Sequence, residues 1–441
     1  MDTLVPLILT SLEQVDEGRS IRSVLRFHIQ ESDLTDFEIS TLYYHIFEIY
    51  RKLNLIDQYI KTSTSSFSLR KIKFRTRALL RFATQLLKIE KEPISRVIEL
   101  LEPYYREIAD LELDDLLLSI NDLTEDMLYE NKHDFASRAA LDYFTPTWII
   151  RKFSEQWGED FTKEVLSTFL ETMPMYVRIN DLKSHLEEII TGFKEQKISF
   201  TIDSDIPNLL KIENSPIPIP RTKEFQSGKI VIQQKASALA SLVLDVRAND
   251  QILDMCASPG SKTSHIAALL DNNSKITAVD INRERISILK DRLKLLGVKQ
   301  VAIIQSDSKE LSKITTDKFD RILVDPPCSS SGTYSSRPEN KWRLKKRDLR
   351  WYVDLQKDLL EEASRLIKQD GVIVFSTCSL FHDENQNIIT SFLEKNSDFK
   401  LEKPLPIIGI IKKTPYGEVQ ELYPHLHETE GFFVAKIRKK K

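Results

Sequence analysis

Residues 251–263 read QILDMCASPGSKT, and this stretch decides the fold. It begins with a short apolar run of the length of a buried parallel strand, and then turns into a helical pattern. Two later runs repeat the arrangement: residues 321–332 read RILVDPPCSSSG, and residues 372–379 read VIVFSTCS. All three cysteines of the chain therefore follow strand ends, the edge at which a parallel α/β sheet binds its ligands.

The surrounding sequence extends this pattern into a domain. From about residue 225 to residue 441, short apolar runs alternate with helical segments, which predicts an α/β, Rossmann-like fold with a mostly parallel sheet. The last apolar run, Gly431 to Ile437, is expected to be an antiparallel strand at the sheet edge. Residues 225–441 are therefore predicted to form the catalytic domain.

The upstream sequence has two different patterns. Residues 1–140 repeat apolar side chains at helical spacing with almost no glycine, which predicts a separate all-α domain. Residues 141–224 mix helical segments with strand-like runs, which predicts a small α/β lobe. We therefore expect three domains.

Composition limits the classes of function. Three cysteines among 441 residues indicate a reducing compartment, and the N-terminus has neither a basic leader nor a membrane-spanning apolar stretch, so a cytoplasmic protein is expected. The net charge of -3 means that any nucleic-acid surface is a local patch.

The candidate patch is residues 70–77 with Arg81, Arg22 and Arg26. It is either a solvated helical face or a phosphate-contacting surface.

The turn from Cys256 to Lys262 indicates the cofactor. It has fewer glycines than a dinucleotide-binding turn and no Walker arrangement. A helix N-terminus beside a lysine suits a free carboxylate, which an amino-acid-bearing cofactor such as S-adenosylmethionine provides. Asp280 and Asp307 end the next two strands, where acids can receive ribose hydroxyls and lie beside adenine, although each can instead cap a turn.

The two remaining cysteines, Cys328 and Cys378, suit methylation of a carbon that is not nucleophilic. Carbon 5 of a pyrimidine becomes nucleophilic only after a group adds at carbon 6, and a thiolate adds and leaves readily. An acid near N3 must absorb the developing charge, a role that fits Asp325. Because a proton must also leave carbon 5, two cysteines supply a nucleophile and a helper. Cysteines are often merely small core residues, but these two lie among serines, threonine and prolines.

These segments resemble the Sun/Fmu family of RNA cytosine-5 methyltransferases, the RsmB/NSUN type. The family turn LD-x-C-A-A-P-G-G-K-T is similar to residues 253–263, D-A-P-C-S-G-x-G to residues 325–332, and S-T-C-S to residues 376–379. The similarity extends over about residues 140–435. Five residues depart from the family pattern without removing a reacting group: Ser258, Ser261, Pro326, Ser330 and Gln234.

The resemblance implies a class I methyltransferase domain in which Cys378 is the nucleophile and Cys328 assists product release. It also implies RNA-binding roles for the small lobe and for a NusB-like N-terminal domain. The implied substrate is ribosomal RNA, with transfer RNA as the alternative, and we expect a monomer without DNA, membrane or metal partners. The S-adenosylmethionine site implied by the resemblance comprises Cys256, Ala257, Ser258, Pro259, Gly260, Ser261, Lys262, Asp280, Asp307 and Asp325.

Three other interpretations remain open from the residues. Asp325-Pro326-Pro327 resembles the motif of amino-group methyltransferases, although Cys328 stands where those enzymes have an aromatic residue. The Pro327-Cys328 pair resembles the nucleophile of DNA cytosine methyltransferases, which would reverse the roles of the two cysteines. A catalytically silent RNA-binding or ribosome-assembly factor would need neither thiol.

Overall fold

The computed structural model describes residues 2–64, 68–105, 113–130 and 132–441. The chain divides into two compact units, residues 1–171 with 334–343, and residues 172–333 with 344–441. None of the helices in these described ranges combines the length and the apolar character that crossing a membrane requires.

The described elements of residues 1–140 are helices, as the apolar spacing predicts, and residues 141–171, which the prediction placed in the small lobe, add two more helices to the same unit. The helices are α1 Val5–Asp16, α2 Ile21–Glu31, α3 Asp36–Arg51, α4 Leu53–Ser63, α5 Phe74–Thr84, α6 Ile94–Tyr105, α7 Leu113–Asp122, α8 Phe135–Asp142, α9 Thr147–Trp157 and α10 Glu159–Thr168. Each of the first five buries an apolar face in one shared core, where Ile8, Ile46 and Phe82 are inaccessible to solvent.

The basic residues of the candidate patch, residues 70–77 with Arg81, Arg22 and Arg26, differ in how deeply they are buried. Arg81 is 6% exposed and its guanidinium pairs with two carboxylates, Asp16 at 2.8 Å and Asp57 at 2.8 Å. The prediction that Arg81 contributes to a phosphate-contacting surface is therefore wrong, because the helical core needs this cation to neutralise two partly buried acids. The cations that remain exposed are Arg22, Arg26, Arg70, Lys71 and Lys73.

The second unit contains a small antiparallel sheet. Its strands are β1 Met175–Ile179, β2 Ser199–Ile202, β3 Leu209–Asn214 and β4 Ile230–Ile232, in the order β2-β3-β1-β4. Helix α11, Leu186–Glu195, packs Ile189 and Phe193 against the apolar side chains of β1 and β3. This arrangement confirms the mixed α/β pattern of the small lobe.

The large sheet of the same unit has nine strands. They are β5 Gln251–Asp254, β6 Lys275–Asp280, β7 Val301–Gln305, β8 Phe319–Val324, β9 Ile367–Thr377, β10 Phe399–Glu402, β11 Ile410–Thr414, β12 Gly417–Leu422 and β13 Phe432–Lys439. The remaining helices are α12 Lys223–Gln226, α13 Lys235–Val243, α14 Ser261–Leu269, α15 Arg283–Leu295, α16 Glu339–Arg343 (in the first unit), α17 Lys346–Leu366, α18 Gln386–Lys395 and α19 Pro424–His427.

Strands β5 to β9 pair in parallel in the order β7-β6-β5-β8-β9, which confirms the mostly parallel, Rossmann-like sheet. The order reverses between β5 and β8, and such a switch point opens a crevice at the strand carboxyl ends. Strand β13 is antiparallel, as expected, but it lies between β9 and β12 instead of at the edge. The reason is that residues 399–422 supply three further strands, which extend the sheet beyond it.

Residues 334–343, between β8 and α17, belong to the helical unit. The indole N–H of Trp342 donates to the backbone carbonyl of Tyr50 at 2.6 Å, and Lys341 Nζ donates to that of Arg51 at 3.2 Å. Lys341 is inaccessible to solvent, and burial lowers the pKa of its amine to about 7, helped by the nearby charge of Arg51.

We predict that Lys341 makes the stability of the protein depend on pH. The amine titrates near 10.5 in the unfolded chain and at about 7 in the folded chain, so the unfolded state binds more protons between these values. The free energy of unfolding should therefore rise as pH rises through this window, and Lys341→Met should flatten the rise. Urea unfolding of wild type, Lys341→Met and the exposed control Lys346→Met at about pH 7 and about pH 9.5 measures the effect. An equal rise in Lys341→Met and wild type would contradict the prediction.

Candidate active site

The loops that follow β5, β6, β8 and β9 contain most of the polar residues singled out from the sequence. These strands are neighbours in one parallel ladder, with Asp254 opposite Ala278 of β6 and Leu323 of β8, and Val324 opposite Phe375 of β9. Because their carboxyl ends meet at one edge of the sheet, residues far apart in the sequence lie side by side.

The turn between β5 and α14 depends on Gly260. This residue precedes α14 in a left-handed conformation with φ of 97°, and among the described residues no side chain caps the helix. A Cβ at this position would lie 2.8 Å from Leu289 Cδ1, so a larger residue would displace the packing of α15. The N-terminus of α14 therefore keeps free backbone N–H groups and a positive dipole end, which favour a carboxylate.

The two strand-end acids differ in their surroundings. Asp280 is 3% exposed and accepts backbone N–H bonds from Asn282 at 3.0 Å and from Ser258, in the turn before α14, at 3.3 Å. Asp280 thus joins the β6 end to the cofactor turn. Asp307 is partly exposed and accepts from the Lys309 N–H at 3.0 Å, which caps the short 3-10 helix that follows.

Lys262 and Asp325 form an ion pair that links the first and second motifs. Lys262 Nζ lies 2.7 Å from Asp325 Oδ2, and Ser376 Oγ donates to Asp325 Oδ1 at 2.8 Å. Burial alone would lower the pKa of Lys262, but the Asp325 carboxylate raises it above its ordinary value. The amine is therefore held as a cation next to the cysteine loops.

The sulfur atoms of Cys328 and Cys378 lie 3.3 Å apart. The hydrogen bond from Cys328 lowers the pKa of the Cys378 thiol against the effect of burial. The same contact, together with burial, raises the pKa of Cys328 well above its ordinary value. Of the two thiols, Cys378 therefore ionises more readily than Cys328. Cys256 lies apart in the cofactor turn, where burial raises the pKa of its thiol.

Backbone contacts hold the two cysteine loops close together. The Gly332 N–H donates to the Cys378 carbonyl at 2.9 Å, and the Gly431 N–H donates to the Gly332 carbonyl at 2.9 Å. A Cβ at Gly332 would lie 2.2 Å from the Gly431 carbonyl oxygen. Only glycine fits between these backbones, which gives a steric reason for the last residue of the DPPCSSSG segment.

A buried carboxylate, Glu384, lies behind the cysteines and was missed from the sequence. It accepts hydrogen bonds from Ser329 in the Cys328 loop, from Ser379 in the Cys378 loop and from Gln356 of α17. The neighbouring Asn385 donates to the Ser379 carbonyl at 2.9 Å. In the sequence, Glu384 and Asn385 look like an ordinary helix start, because they stand directly before an amphipathic segment. The only signal for a functional role is that they belong to a run of polar residues after a buried strand.

The structure brings the predicted catalytic residues together. Cys328 and Cys378 are in contact, and Asp325 is joined to Lys262 and, through Ser376, to the strand that ends at the second cysteine. The turn from Cys256 to Lys262 lies against Asp280, as predicted. Asp307 stands at the end of the next strand and acts as a cap, the alternative that the sequence left open for it.

Comparison with known proteins finds the same pattern. Residues 241–438 match the family described as 16S rRNA methyltransferase RsmB/F, and residues 145–219 match the ferredoxin-like domain of RsmF/B-like methyltransferases. A Bacillus subtilis protein named probable ribosomal RNA small subunit methyltransferase B is 29% identical over 315 residues, which are 70% of this chain and 69% of that protein.

Two solved structures extend the similarity to the fold. The crystal structure of PH0851 superimposes with a TM-score of 0.84 at 28% identity and covers 98% of this chain and 97% of that chain. A methyltransferase homologue from Pyrococcus horikoshii gives a TM-score of 0.61 at 29% identity, covering 72% of this chain and 100% of that chain.

The two family matches together span more than half of the chain and include the cofactor turn and both cysteine loops. With the geometry of the strand ends, they establish the cofactor as S-adenosylmethionine and the activity as methyl transfer to RNA. The chain belongs to the Sun/Fmu, or RsmB/F, family of S-adenosylmethionine-dependent RNA methyltransferases.

Proposed function

We propose that this enzyme methylates carbon 5 of a cytosine in RNA through a covalent bond between Cys378 Sγ and carbon 6 of the base. The observation that carries the proposal is the 3.3 Å approach of the Cys328 and Cys378 sulfurs. Methylation of a nitrogen or an oxygen needs no thiol, whereas carbon 5 of a pyrimidine needs a nucleophile at carbon 6. Two adjacent thiols therefore fit carbon methylation better than amino-group methylation.

The cofactor residues follow from the strand ends. Bound S-adenosylmethionine supplies an electrophilic methyl group on a sulfonium. The N-terminus of α14 fits its carboxylate, and Asp280 and Asp307 are the acids available to its ribose and adenine. The residues proposed to hold the cofactor are Cys256, Ala257, Ser258, Pro259, Gly260, Ser261, Lys262, Asp280, Asp307 and Asp325.

The first step is the addition of the Cys378 thiolate to carbon 6. The new carbon–sulfur bond moves the electron pair of the 5,6 double bond toward carbon 5, carbon 4 and N3, which makes carbon 5 nucleophilic. The Asp325 carboxylate is proposed to accept a hydrogen bond from the exocyclic amine of the base, and the Lys262 ammonium is proposed to offset the negative charge that develops on the ring.

The last step is the release of the product. After methyl transfer, carbon 5 holds both a methyl group and a proton. A base must take this proton so that the 5,6 double bond re-forms and Cys378 leaves as a thiolate. The Cys328 thiol lies in contact with Cys378 and keeps its proton, so we assign it to the departure of Cys378, as the donor that hydrogen-bonds the leaving thiolate while a water molecule takes the proton from carbon 5.

The substrate is proposed to be ribosomal RNA, because the Bacillus subtilis relative is named for that activity. The target cytosine must be unpaired or turned out of its stack, since the thiolate attacks the face of the ring. The domains proposed to bind the RNA are the NusB-like helical domain, residues 1–140, and the small lobe, residues 141–224. The proposed catalytic domain is residues 225–441, within which residues 334–343 belong to the helical unit.

We predict that removal of each cysteine has a different effect. Cys328→Ala should accumulate a denaturant-resistant protein–RNA adduct, because Cys378 adds to the base but release is blocked. Cys378→Ala should form no adduct and should lose methyl transfer by at least about 10³-fold, since it lacks the nucleophile. The adduct is measured on a denaturing gel after incubation with S-adenosylmethionine and total RNA, and sequencing of the trapped RNA identifies its class.

The double variant Cys328→Ala/Cys378→Ala is the matched control, because it lacks the nucleophile and should form no adduct. Wild type should turn over without accumulating adduct. An adduct that requires Cys328 instead of Cys378 would reverse the assignment and favour the DNA-methyltransferase analogy. Trapped transfer RNA in place of ribosomal RNA would overturn the substrate proposal but not the chemistry.

We also predict that the exposed cations of the helical domain contact RNA phosphates. Combined replacement of Arg26, Arg70 and Lys73 by Gln should weaken RNA binding and reduce the slope of log K against log salt by about 0.7 to 0.9 per lost contact. Lys163→Gln is the control, because Lys163 already pairs with Asp160 at 3.0 Å. Filter binding at several salt concentrations measures both slopes. Equal slopes for the triple variant and wild type would show that this face is merely solvated.

A further inference from the structure

Glu384 is a buried carboxylate that the proposed reaction does not use. Its side chain is inaccessible to solvent, and within the described part of the chain it has no lysine or arginine partner. Burying a carboxylate without a cation is costly unless several donors converge on it. The residues that donate hydrogen bonds to Glu384 therefore show which parts of the structure this carboxylate holds in place.

The donors come from three elements around the cysteines. Oε1 accepts from the Ser329 N–H at 2.9 Å and from Gln356 Nε2 at 2.9 Å. Oε2 accepts from the hydroxyl of Ser379 at 2.5 Å and from that of Ser329. Ser329 follows Cys328 directly and Ser379 follows Cys378 directly, so a single carboxylate fixes both cysteine loops. Burial raises the pKa of Glu384, but the four donors on its two oxygens oppose this effect and suit the ionised form.

The charge of Glu384 acts unequally on the two thiols. The pKa of Cys328 is raised by its hydrogen bond with Cys378, by burial and, to a smaller extent, by the charge of Glu384, whereas the pKa of Cys378 is lowered, against burial, by its hydrogen bonds with Cys328 and Ser330. A negative charge behind Cys328 thus opposes a second thiolate at that position.

We propose that Glu384 is a positioning residue that decides which of the two cysteines is the nucleophile. It holds the Cys328 loop against the Cys378 loop, and its charge keeps the proton of the pair on Cys328. The inference rests on the proposed covalent mechanism, but the arrangement of the two thiols can be measured without RNA or cofactor.

The other charged and titratable groups around the thiols are known. The charges of Asp325 and Glu430 raise the pKa of Cys378, Cys378 and Lys262 interact electrostatically, and Cys328 interacts in the same way with the phenol of Tyr352 on α17. All of these groups are retained when Glu384 is replaced by Gln. A change in thiol reactivity in this variant therefore reports on Glu384 itself.

The test is the rate of alkylation of each cysteine by iodoacetamide between about pH 6 and about pH 9, followed by peptide mass spectrometry. In wild type, Cys378 should react faster than Cys328 at neutral pH. In Glu384→Gln, the ratio of the two rates should fall by about tenfold or more, the change in thiolate fraction that one pKa unit produces. Glu362→Gln is the matched control, because Glu362 is an equally buried carboxylate that binds the Ser312 N–H and Arg365. It should keep the wild-type ratio.

Cys256 serves as the internal measure of folding, since an unfolded variant alkylates all three cysteines at similar rates. If Glu384→Gln unfolds by this criterion, Ser379→Ala replaces it, because it removes one hydroxyl and detaches the carboxylate from the Cys378 loop. In Ser379→Ala, the ratio of the Cys378 alkylation rate to the Cys328 alkylation rate should also fall. A wild-type ratio in the folded variant would overturn the role of Glu384. The adduct formed by Cys328→Ala tests the methyl-transfer mechanism separately.

Discussion

The pairing of β8 with both β5 and β9 is the constraint on which the rest of the site depends. Three loops that are far apart in the sequence end at the same edge because these strands are parallel and in register. The ion pair between Lys262 and Asp325 joins the first loop to the second, and the two sulfurs join the second to the third. A one-residue slip of β8 would turn these side chains to the opposite face of the sheet.

Within this frame, the site separates opposite charges over short distances. The Lys262 ammonium pairs with the Asp325 carboxylate, the two cysteine sulfurs lie 3.3 Å apart, and the buried Glu384 carboxylate is bound to the Cys328 loop. Hydroxyl donors from neighbouring segments hold both carboxylates: Ser376 binds Asp325, and Ser329 and Ser379 bind Glu384. Such preorganised charge is what a reaction that develops negative charge on a pyrimidine ring needs.

Short apolar runs in the sequence predicted the buried parallel strands and the position of the site that follows them. Apolar runs marked β5, β6, β8 and β9, and the residues after them marked the site, because burial on both faces of a parallel strand leaves a plain apolar signal. The hairpin of β11 and β12 was missed, since strands such as IIKKT are half exposed and alternate weakly. Arg81 and Glu384 were misjudged or missed because their partners are distant in the sequence: Asp16 and Asp57 for Arg81, and Ser329 and Gln356 for Glu384.

The placement of residues 334–343 in the helical unit has a consequence for the modularity of the chain. A fragment that begins at residue 172 would keep this segment but lose the helices that bury Trp342 and Lys341. Its exposed indole and aliphatic surface would be prone to self-association. No single cut in the chain therefore separates the two units, and gain or loss of the helical part during evolution would require matching changes between β8 and α17.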